Sequence, residues 1–360
     1  MNTNPYVFIR GLRHVDLSVF CVQDGQKFYY DPVFNNRRIP FSSGQQVKRS
    51  IIDSLTSALQ VSPAPITFVF DVNNKGALGE GEVLSLCDPQ YIDQILGGWM
   101  HATKSGDDSS KKERTLKRRS PLSISAMRPL HPLLGGIFEE NATFDRSDNP
   151  SLHKVIVRDP AGKEMSEEQI EALLTGTDRS LYRKWLTANK RATGLYVYDV
   201  AIDLRTLFAV STNLLEPELK KEKIEELKEK GWILAKNTFG ECLVMPKELR
   251  TKAIPALAHA LINWRISSNQ ARTFSLMETL AVAISDNANT LAGAIRAKLV
   301  DDSAAPKAKP IIDETAGADL FITLPCGGYI QTESESADAL MKAEERLIQM
   351  ISSFDFENQL

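Results

Sequence analysis

A helix that starts directly after a long first strand is the feature that most limits how this chain can fold. Residues 6–22 have apolar side chains at alternating positions, which predicts a strand. Ser43 and Gln46 then have the spacing of a capping box, and Ser42 with Gln45 allows a start one residue earlier. One apolar arc at helical spacing follows, made of Val47, Ile51, Ile52, Leu55 and Leu59. The chain is therefore predicted to begin β–α.

The predicted helix start has the properties of a phosphate-binding site. Unpaired backbone N–H groups and the helix dipole place partial positive charge there. Gly44 would let a ligand approach the backbone, Lys48 and Arg49 add two charges, and Gln46 points away from the apolar arc together with Arg49. The same residues also fit an ordinary capped helix with two solvated cations. We interpret residues 42–49 as a cradle for a phosphate backbone, because no Walker pattern or dinucleotide fingerprint uses them.

Composition and charge are those of a globular protein that could bind a polyanion on one side. The 360 residues allow one large or two ordinary domains. The net charge of −3 is unevenly distributed: residues 286–360 hold 13 acidic and 6 basic side chains, so they carry −7 and residues 1–285 carry +4. Such a division also suits copies that associate through faces of opposite charge.

Cysteines and histidines indicate neither disulfides nor a metal site. The four cysteines form no CxxC pair and the five histidines are scattered, which predicts free thiols in a reducing compartment. The sequence shows no signal peptide and no apolar run of about 18 residues. We therefore expect a cytoplasmic protein with no cofactor, no metal ion and no membrane partner.

Two long insertions interrupt the predicted fold. Residues 66–70 read as a short buried strand, and 72–119 read as an excursion punctuated by glycine. Residues 122–130 return as a strand before a second insertion, from 135 to 194, which includes a predicted strand at 153–158. The first insertion ends in a run that we interpret as a mobile basic arm, with Lys111, Lys112, Arg114, Lys117, Arg118 and Arg119.

The remaining pattern predicts a single domain of the α+β class. Strands are predicted at 195–204, 274–284 and 320–324; helices at 166–174, 217–230, 251–266 and 337–351; and a flexible connection at 303–310. Without its insertions the order is close to a ferredoxin-like or RNA-recognition-type topology, with helices mainly on one face of a sheet. The other face would be left for a ligand. The whole chain, 1–360, then forms one domain, and 286–360 is its acidic C-terminal part.

Several segments resemble a known protein family. They are Ile9-Arg10-Gly11 in the first strand, the stretch 41–49, and Ser123-Ile124-Ser125-Ala126. In these segments the chain resembles the Cas-seven backbone subunit of type I CRISPR Cascade complexes, nearest the DevR-like branch. Asn269-Gln270-Ala271-Arg272, after an alanine-rich helix, is similar to the small-residue-and-arginine turn of that family.

The resemblance implies a hand-shaped, non-catalytic RNA-binding subunit used in antiviral defense. The palm would be a modified ferredoxin-like or RNA-recognition-type fold, with fingers at 72–119 and a thumb at 135–194. Copies would stack head to tail along guide CRISPR RNA (crRNA), beside other Cascade subunits in a ribonucleoprotein, and support pairing of the guide with target DNA. The RNA-binding residues so expected are Arg10, Ser42, Ser43, Gly44, Gln45, Gln46, Lys48, Arg49, Asn269 and Arg272.

Three further groups of residues have alternative interpretations. The basic arm is either a solvated loop or a contact for guide RNA or target DNA. Trp99 and Trp185 either stack on bases or pack within the insertions. Gly79-Glu80-Gly81 lacks the lysine and hydroxyl residue of a phosphate loop, which favours a turn.

An enzyme is the alternative to a binding subunit. Related RNA-cleaving backbone subunits of type III complexes use an aspartate between the first strand and the first helix, where this chain has Asp24 and Asp31. Both precede turn residues, which favours a structural role. His14 and His131 could serve a metal-free ribonuclease that processes guide RNA, although spacing identifies no partner base. The alternative function is therefore an RNA endonuclease, or a small-molecule enzyme, on the same fold.

Overall fold

A computed structural model describes residues 4–20, 27–34, 37–102, 114–266 and 274–360, with the backbone alone at 140–143 and 185–189. The strands in these ranges are β1 (Tyr6–Ser18), β2 (Lys27–Asp31), β3 (Arg37–Phe41), β4 (Thr67–Val69), β5 (Glu82–Leu84), β6 (Trp99–His101), β7 (Leu116–Arg118), β8 (Leu122–Ile124), β9 (Arg128–Pro129), β10 (Gly135–Asp145), β11 (Arg183–Asp203), β12 (Ala209–Ser211), β13 (Ile233–Asn237), β14 (Gly240–Val244), β15 (Thr279–Ser285), β16 (Ile295–Asp301), β17 (Lys307–Ile312), β18 (Asp319–Thr323) and β19 (Glu335–Ser336). The α-helices are α1 (Gly44–Leu59), α2 (Ile92–Gly97), α3 (Glu167–Leu174), α4 (Lys221–Glu229), α5 (Lys247–Asn263), α6 (Ala288–Ala294) and α7 (Ala339–Ser352). None of the helices in these ranges has both the length and the apolar character needed to cross a bilayer.

A mixed sheet with β1 near its centre organises the molecule, in agreement with the α+β prediction. Its order is β10-β11-β1-β15-β18-β19, and β8 and β9 also pair with β11. All these pairs are antiparallel except β18 with β19. Because successive residues of a strand point to opposite faces, β1 contributes apolar side chains to both sides of the sheet. Val7, Ile9 and Val15 belong to one buried cluster and Leu12 to another.

Helices α1, α5 and α7 cover one face of the sheet. The apolar arc of α1 is buried there with the Ala/Leu-rich face of α5 and with Leu347 and Ile351 of α7. The Tyr198 hydroxyl of β11 donates a hydrogen bond to the Leu261 carbonyl of α5 at 2.8 Å. This layer is the helix-covered face that the sequence predicts.

The opposite face is partly covered, which corrects the expectation of a free face. Leu12, Val197 and Leu280 pack there against α6 and the β16–β17 hairpin through Leu291 and Ile312. The prediction of a flexible connection at 303–310 is wrong, because β17 begins at Lys307 and pairs with β16. Alanine, lysine and proline in β17 are poor strand formers, so the pairing depends on the buried ends of the hairpin.

The segment between α1 and β8 divides into an exposed part and a buried part. β4 and β5 form a hairpin whose residues 67–69 are all exposed, so the prediction of a buried strand at 66–70 is wrong. Large apolar side chains on this hairpin face solvent: Ile66, Phe68, Val69, Phe70, Val72, Leu78 and Val83. From α2 to β7 the chain returns to the main core through Ile95, Leu96, Trp99 and Leu116.

A long two-stranded ribbon leaves the central sheet. The N-terminal half of β11 pairs with β10 from Asp145↔Arg183 to Gly135↔Gly194, and its C-terminal half pairs with β1. Gly194 has φ of +120°, and an added Cβ would collide with the Leu134 carbonyl oxygen, so only glycine fits this junction. Ser166 starts α3 with a capping box, as its sequence indicates, whereas the predicted strand at 153–158 forms only an isolated bridge, Arg158–Glu164.

Candidate nucleic-acid interface

The start of α1 has the predicted cap. Ser43 is the N-cap residue, and its side-chain oxygen accepts a hydrogen bond from the Gln46 backbone N–H at 3.4 Å. Gln45 is exposed beside it, while Gln46 is half-buried. The helix-start prediction is confirmed, and Gln45 is the side chain of this turn that is most accessible to a ligand.

Gly44 and Ser42 serve the packing of the helix start on the sheet. A Cβ at Gly44 would lie 2.7 Å from the Ile124 carbonyl oxygen, so glycine is needed for the contact with β8. Ser42 is buried and exchanges two backbone hydrogen bonds with Met127, at 3.0 and 2.9 Å. Its hydroxyl has no hydrogen-bond partner among the described residues. The structural reason for Gly44 is therefore this backbone contact, whereas the sequence had suggested ligand access.

Lys48 and Arg49 differ in their availability to a ligand. Lys48 Nζ donates a hydrogen bond to the Gly97 carbonyl at 2.7 Å, and burial lowers the pKa of Lys48 to about 8. The Arg49 side chain is 71% exposed and pairs with Asp53, one helical turn away, at 2.9 Å. An exposed pair of this spacing contributes only about 0.3–0.5 kcal/mol, so a phosphate could displace Asp53. Only Arg49 of the two predicted cations is free to exchange partners.

Arg10 lies in a polar cluster on the partly covered face of the sheet. Its guanidinium binds both carboxylate oxygens of Asp199, at 2.6 and 3.1 Å, and donates to the Ile295 carbonyl at 3.0 Å. Arg128 approaches the same carboxylate at 3.3 Å. Two arginines therefore share one aspartate, which leaves excess positive charge beside a cavity of about 430 Å³ lined by Phe8 and Ser123.

The described part of the basic arm is held against the body of the protein. Arg118 is buried and donates hydrogen bonds to the carbonyls of Ile95 and Thr206, at 3.2 and 2.7 Å, and to Glu218. Lys117 is exposed and pairs with Glu216 at 3.3 Å. Arg114 donates to the Leu214 carbonyl at 2.7 Å, and Arg119 is exposed. Residues 114–119 are thus no mobile arm, and the buried Arg118 side chain is not available to nucleic acid; Lys111 and Lys112 lie outside the described residues.

The predicted turn with Asn269 and Arg272 lies outside the described residues, but the helix that leads to it is firmly held. Arg13 is fully buried and donates to the carbonyls of Ile262 and Trp264 at the end of α5, at 3.1 and 2.8 Å. Its guanidinium lies 4.1 Å from the centre of the Trp264 ring, and burial lowers the pKa of Arg13 to about 10. A cation at this position satisfies the last carbonyls of the helix.

The candidate catalytic residues have mostly structural contacts. Asp31 accepts the backbone N–H groups of Val33 and Phe34, as a turn residue does. His131 accepts a hydrogen bond from the Leu133 backbone N–H at 3.2 Å. His14 lies 3.0 Å from a Glu278 carboxylate oxygen and stacks on Tyr329, a pairing that sequence spacing could not identify. Asp24 lies outside the described residues, and those described hold no cluster of three potential metal ligands.

The remaining sequence candidates are also accounted for, as far as they are described. Trp99 is buried, and its indole N–H donates to the Glu218 carbonyl at 2.8 Å, so it packs within the fold. The Trp185 side chain lies outside the described part of the chain. The Gly79 backbone N–H donates to the Asp71 carbonyl across the hairpin, and the turn lies at 74–76, so the prediction of a turn at 79–81 is wrong.

The β2–β3 hairpin forms a surface that is absent from the predictions made from sequence. Lys27–Asp31 pairs with Arg37–Phe41, and the face that carries Phe28, Tyr30 and Arg38 also meets Lys190 of β11. The consecutive aromatic residues Phe28-Tyr29-Tyr30, followed by Pro32 and Asn35-Asn36, are a recognisable hairpin signal. We refer to Phe28, Tyr30, Arg38 and Lys190 as the β2–β3 surface.

Comparisons with known proteins leave the family open. No model of a protein family matches the sequence, and no curated protein matches it. A chain of a solved "CRISPR RNA-guided surveillance complex, pre-nicking" is similar in structure, with 9% identity and a TM-score of 0.41 over 96% of this chain and 89% of that chain. A chain of a "CRISPR RNA-guided surveillance complex" has 12% identity and a TM-score of 0.35 over 96% and 84%. TM-scores this low carry no argument for the function of this chain.

Proposed function

We propose that this chain is a non-catalytic, guide-RNA-binding backbone subunit of a type I CRISPR surveillance complex, of the Cas-seven family and nearest its DevR-like branch. The order of the central elements carries the proposal. β1, α1, β8, β11, α5 and β15 follow one another as β-α-β-β-α-β, the order of a ferredoxin-like fold. β8, β11, β1 and β15 lie side by side and antiparallel, so they form the palm of such a subunit.

Two projections support the assignment of fingers and thumb. In the proposal the thumb is 135–194, built on the β10–β11 ribbon and the segment with α3. The fingers lie within 72–119, and the exposed β4–β5 hairpin at their base belongs with them, whereas α2 to β7 is part of the palm. Both projections are insertions between consecutive elements of the β-α-β-β-α-β order, so they leave that order unchanged.

The accessible cation near the start of α1, Arg49, supports RNA as the ligand. Arg49 and Gln45 are exposed at a capped helix start, whereas Arg10, on the other face of the sheet, is only 15% exposed and is bound by Asp199. Backbone phosphates would be held there in a sequence-independent way, as a guide requires. Copies would stack head to tail through the acidic part, 286–360, and a basic face, beside other Cascade subunits and with target DNA paired to the guide.

RNA binding without cleavage is the test of this proposal. Protein purified from cells that also make guide CRISPR RNA should retain that RNA. For a single strand, Arg49→Ala should make the slope of log affinity against log salt shallower by about 0.7, because one phosphate contact is lost. Lys252→Ala, an exposed lysine on α5, is the matched control and should leave the slope unchanged.

The same complex distinguishes the alternative function. Target RNA complementary to the guide should stay intact in the presence of magnesium. Cleavage that disappears in His14→Ala would instead identify the RNA-cleaving enzyme, since His14 is paired with Glu278 beside Tyr329. Failure to retain any RNA would refute both forms of the proposal.

A further inference from the structure

The β2–β3 surface combines aromatic rings with cations at close range. The Arg38 guanidinium lies 3.8 Å from the centre of the Phe28 ring, and Lys190 Nζ lies 5.7 Å from the same ring. Tyr30 stands beside them in register with Arg38 and is 64% exposed. An exposed ring flanked by cations is the arrangement with which proteins bind single-stranded nucleic acid.

The acidic residues that the structure describes do not neutralise the charge of Arg38. Asp31 is buried, and its carboxylate accepts the N–H groups of Val33 and Phe34. Glu139 faces Lys190 across the ribbon, but no carboxylate of the described residues forms an ion pair with Arg38. Lys27 and Arg37 are exposed but lie on the other face of the hairpin, in register with Phe41 and Asp31. Arg38 is therefore an exposed cation whose charge can attract an anionic ligand.

The hairpin is anchored firmly enough to present these groups in a fixed position. Arg37 donates a hydrogen bond to the Gly135 carbonyl at the base of the ribbon, at 3.1 Å. Ile39 is fully buried, and the Tyr196 hydroxyl donates to the Pro40 carbonyl at 3.3 Å. Fixing the backbone in advance lowers the entropy that binding would otherwise cost.

The position of the hairpin links two parts of the proposed RNA path. β3 leads through Ser42 directly to the capped start of α1, and Arg37 touches the base of the β10–β11 ribbon. Arg38 and Ser43 are five residues apart, which is at most about 17 Å of extended chain. An RNA strand that contacts Arg49 and Gln45 at the helix start could therefore continue over the β2–β3 surface.

We propose that the β2–β3 surface binds a nucleotide of single-stranded RNA, with its base stacked on Tyr30 and its phosphate on Arg38. This inference rests on the proposed function and names a contact of the same RNA that nothing in the sequence motifs assigns. Stacking on an exposed ring tolerates any base, so the contact would not depend on guide sequence.

Binding of a fluorescein-labelled single-stranded RNA of mixed sequence, measured by anisotropy, tests the inference. Tyr30→Ala should weaken affinity by about 5- to 150-fold, because one stacked base is lost. Tyr30→Phe keeps the ring and should bind like the wild type. Arg38→Ala should lower affinity and make the salt slope shallower by about 0.7, and the control Lys252→Ala should change neither. Circular dichroism and an unchanged urea midpoint verify that each variant folds.

The possible outcomes separate this inference from the proposed function. If the wild type binds RNA and Tyr30→Ala binds equally well, the stacking surface is overturned while the RNA-binding subunit stands. Tighter binding of single-stranded DNA of the same sequence would overturn the assignment to RNA. If Tyr30→Phe loses as much affinity as Tyr30→Ala, the stacking contact is overturned, since the aromatic ring is then not what binds the RNA. A wild type that binds no RNA overturns both proposals.

Discussion

Lys117 and Arg118 are neighbours in sequence whose surroundings are opposite. In β7 successive side chains point to opposite faces, so Lys117 lies in solvent and Arg118 in the core. The buried guanidinium joins three separate parts of the chain, at Ile95, Thr206 and Glu218. A run of basic residues in sequence therefore contains one residue with a structural role.

Truncation of each residue separates the two roles. Arg118→Ala should lower the free energy of unfolding by about 3–5 kcal/mol, because it leaves two buried carbonyls and Glu218 without their donor. Lys117→Ala should change it by less than about 0.5 kcal/mol, as is usual for an exposed residue. Urea denaturation measures both, and equal effects of the two substitutions would contradict the burial of Arg118.

The sequence could identify the types of residue at the candidate site, but it could not show which of them are free to bind a ligand. The cap at Ser43 depends on neighbours within one turn, and it was predictable. Lys48 is bound by the Gly97 carbonyl and Arg10 by Asp199, and both partners lie far away in the sequence. Partners of this kind follow from tertiary packing, so the pattern of charges alone could not show that Lys48 is occupied.

At the scale of elements, α1 depends on close contact between its first turn and β8. Gly44 lies against the carbonyl oxygen of Ile124, and this contact sets how deeply the helix start sits on the sheet. The spacing of apolar residues predicts the helix and its buried face but not this long-range contact.

Alanine at two glycines tests this contact. Gly44→Ala should lower the free energy of unfolding by about 1–3 kcal/mol, because the added Cβ overpacks the contact with β8. Gly97→Ala at the end of α2 is the matched control: an added Cβ meets nothing within 4 Å, so we expect no loss of stability and a gain of at most about 1 kcal/mol. Thermal or urea unfolding gives both values. A Gly44→Ala protein as stable as the control would show that the helix start can shift without cost.

A run of apolar residues did not predict reliably whether a strand is buried. Residues 66–70 combine β-branched and aromatic side chains, which identifies a strand, but periodicity does not say whether another layer covers it. The chain pairs this strand only with β5 in the described structure, and both faces of the hairpin meet solvent. β16 and β17 show the reverse case, since weak strand formers are stabilised by buried ends.

For the whole molecule, the sequence predicts the class and the order of the main elements. It could not show that β11 is one strand of 21 residues, because the ribbon half and the sheet half differ in composition. Nor could it show which strands are neighbours, since pairings such as Ile9 with Val200 and Ile284 join distant segments. Assembly of the central sheet is a long-range property of the chain.

Hydrogen exchange should reveal a wide range of local stability across the free protein. β15 is buried along all seven residues and should exchange on the order of 100-fold more slowly, or slower still, than β4 and β5. The β16–β17 hairpin is the control for a two-stranded element with buried ends, and it should exchange at intermediate rates. Mass spectrometry of peptides from these strands measures the rates. Equal protection of β4 and β15 would contradict the exposure of the β4–β5 hairpin.

The exposed β4–β5 hairpin has a consequence for how much of this protein a cell can hold in free form. Its apolar side chains and the two outer strand edges of a short, uncovered sheet are features that favour association between unrelated or identical chains. Copies whose hairpin stays uncovered would be the first to precipitate as the concentration of the protein rises. A partner that packed on the hairpin, made in matching amounts, would keep this surface out of contact with water.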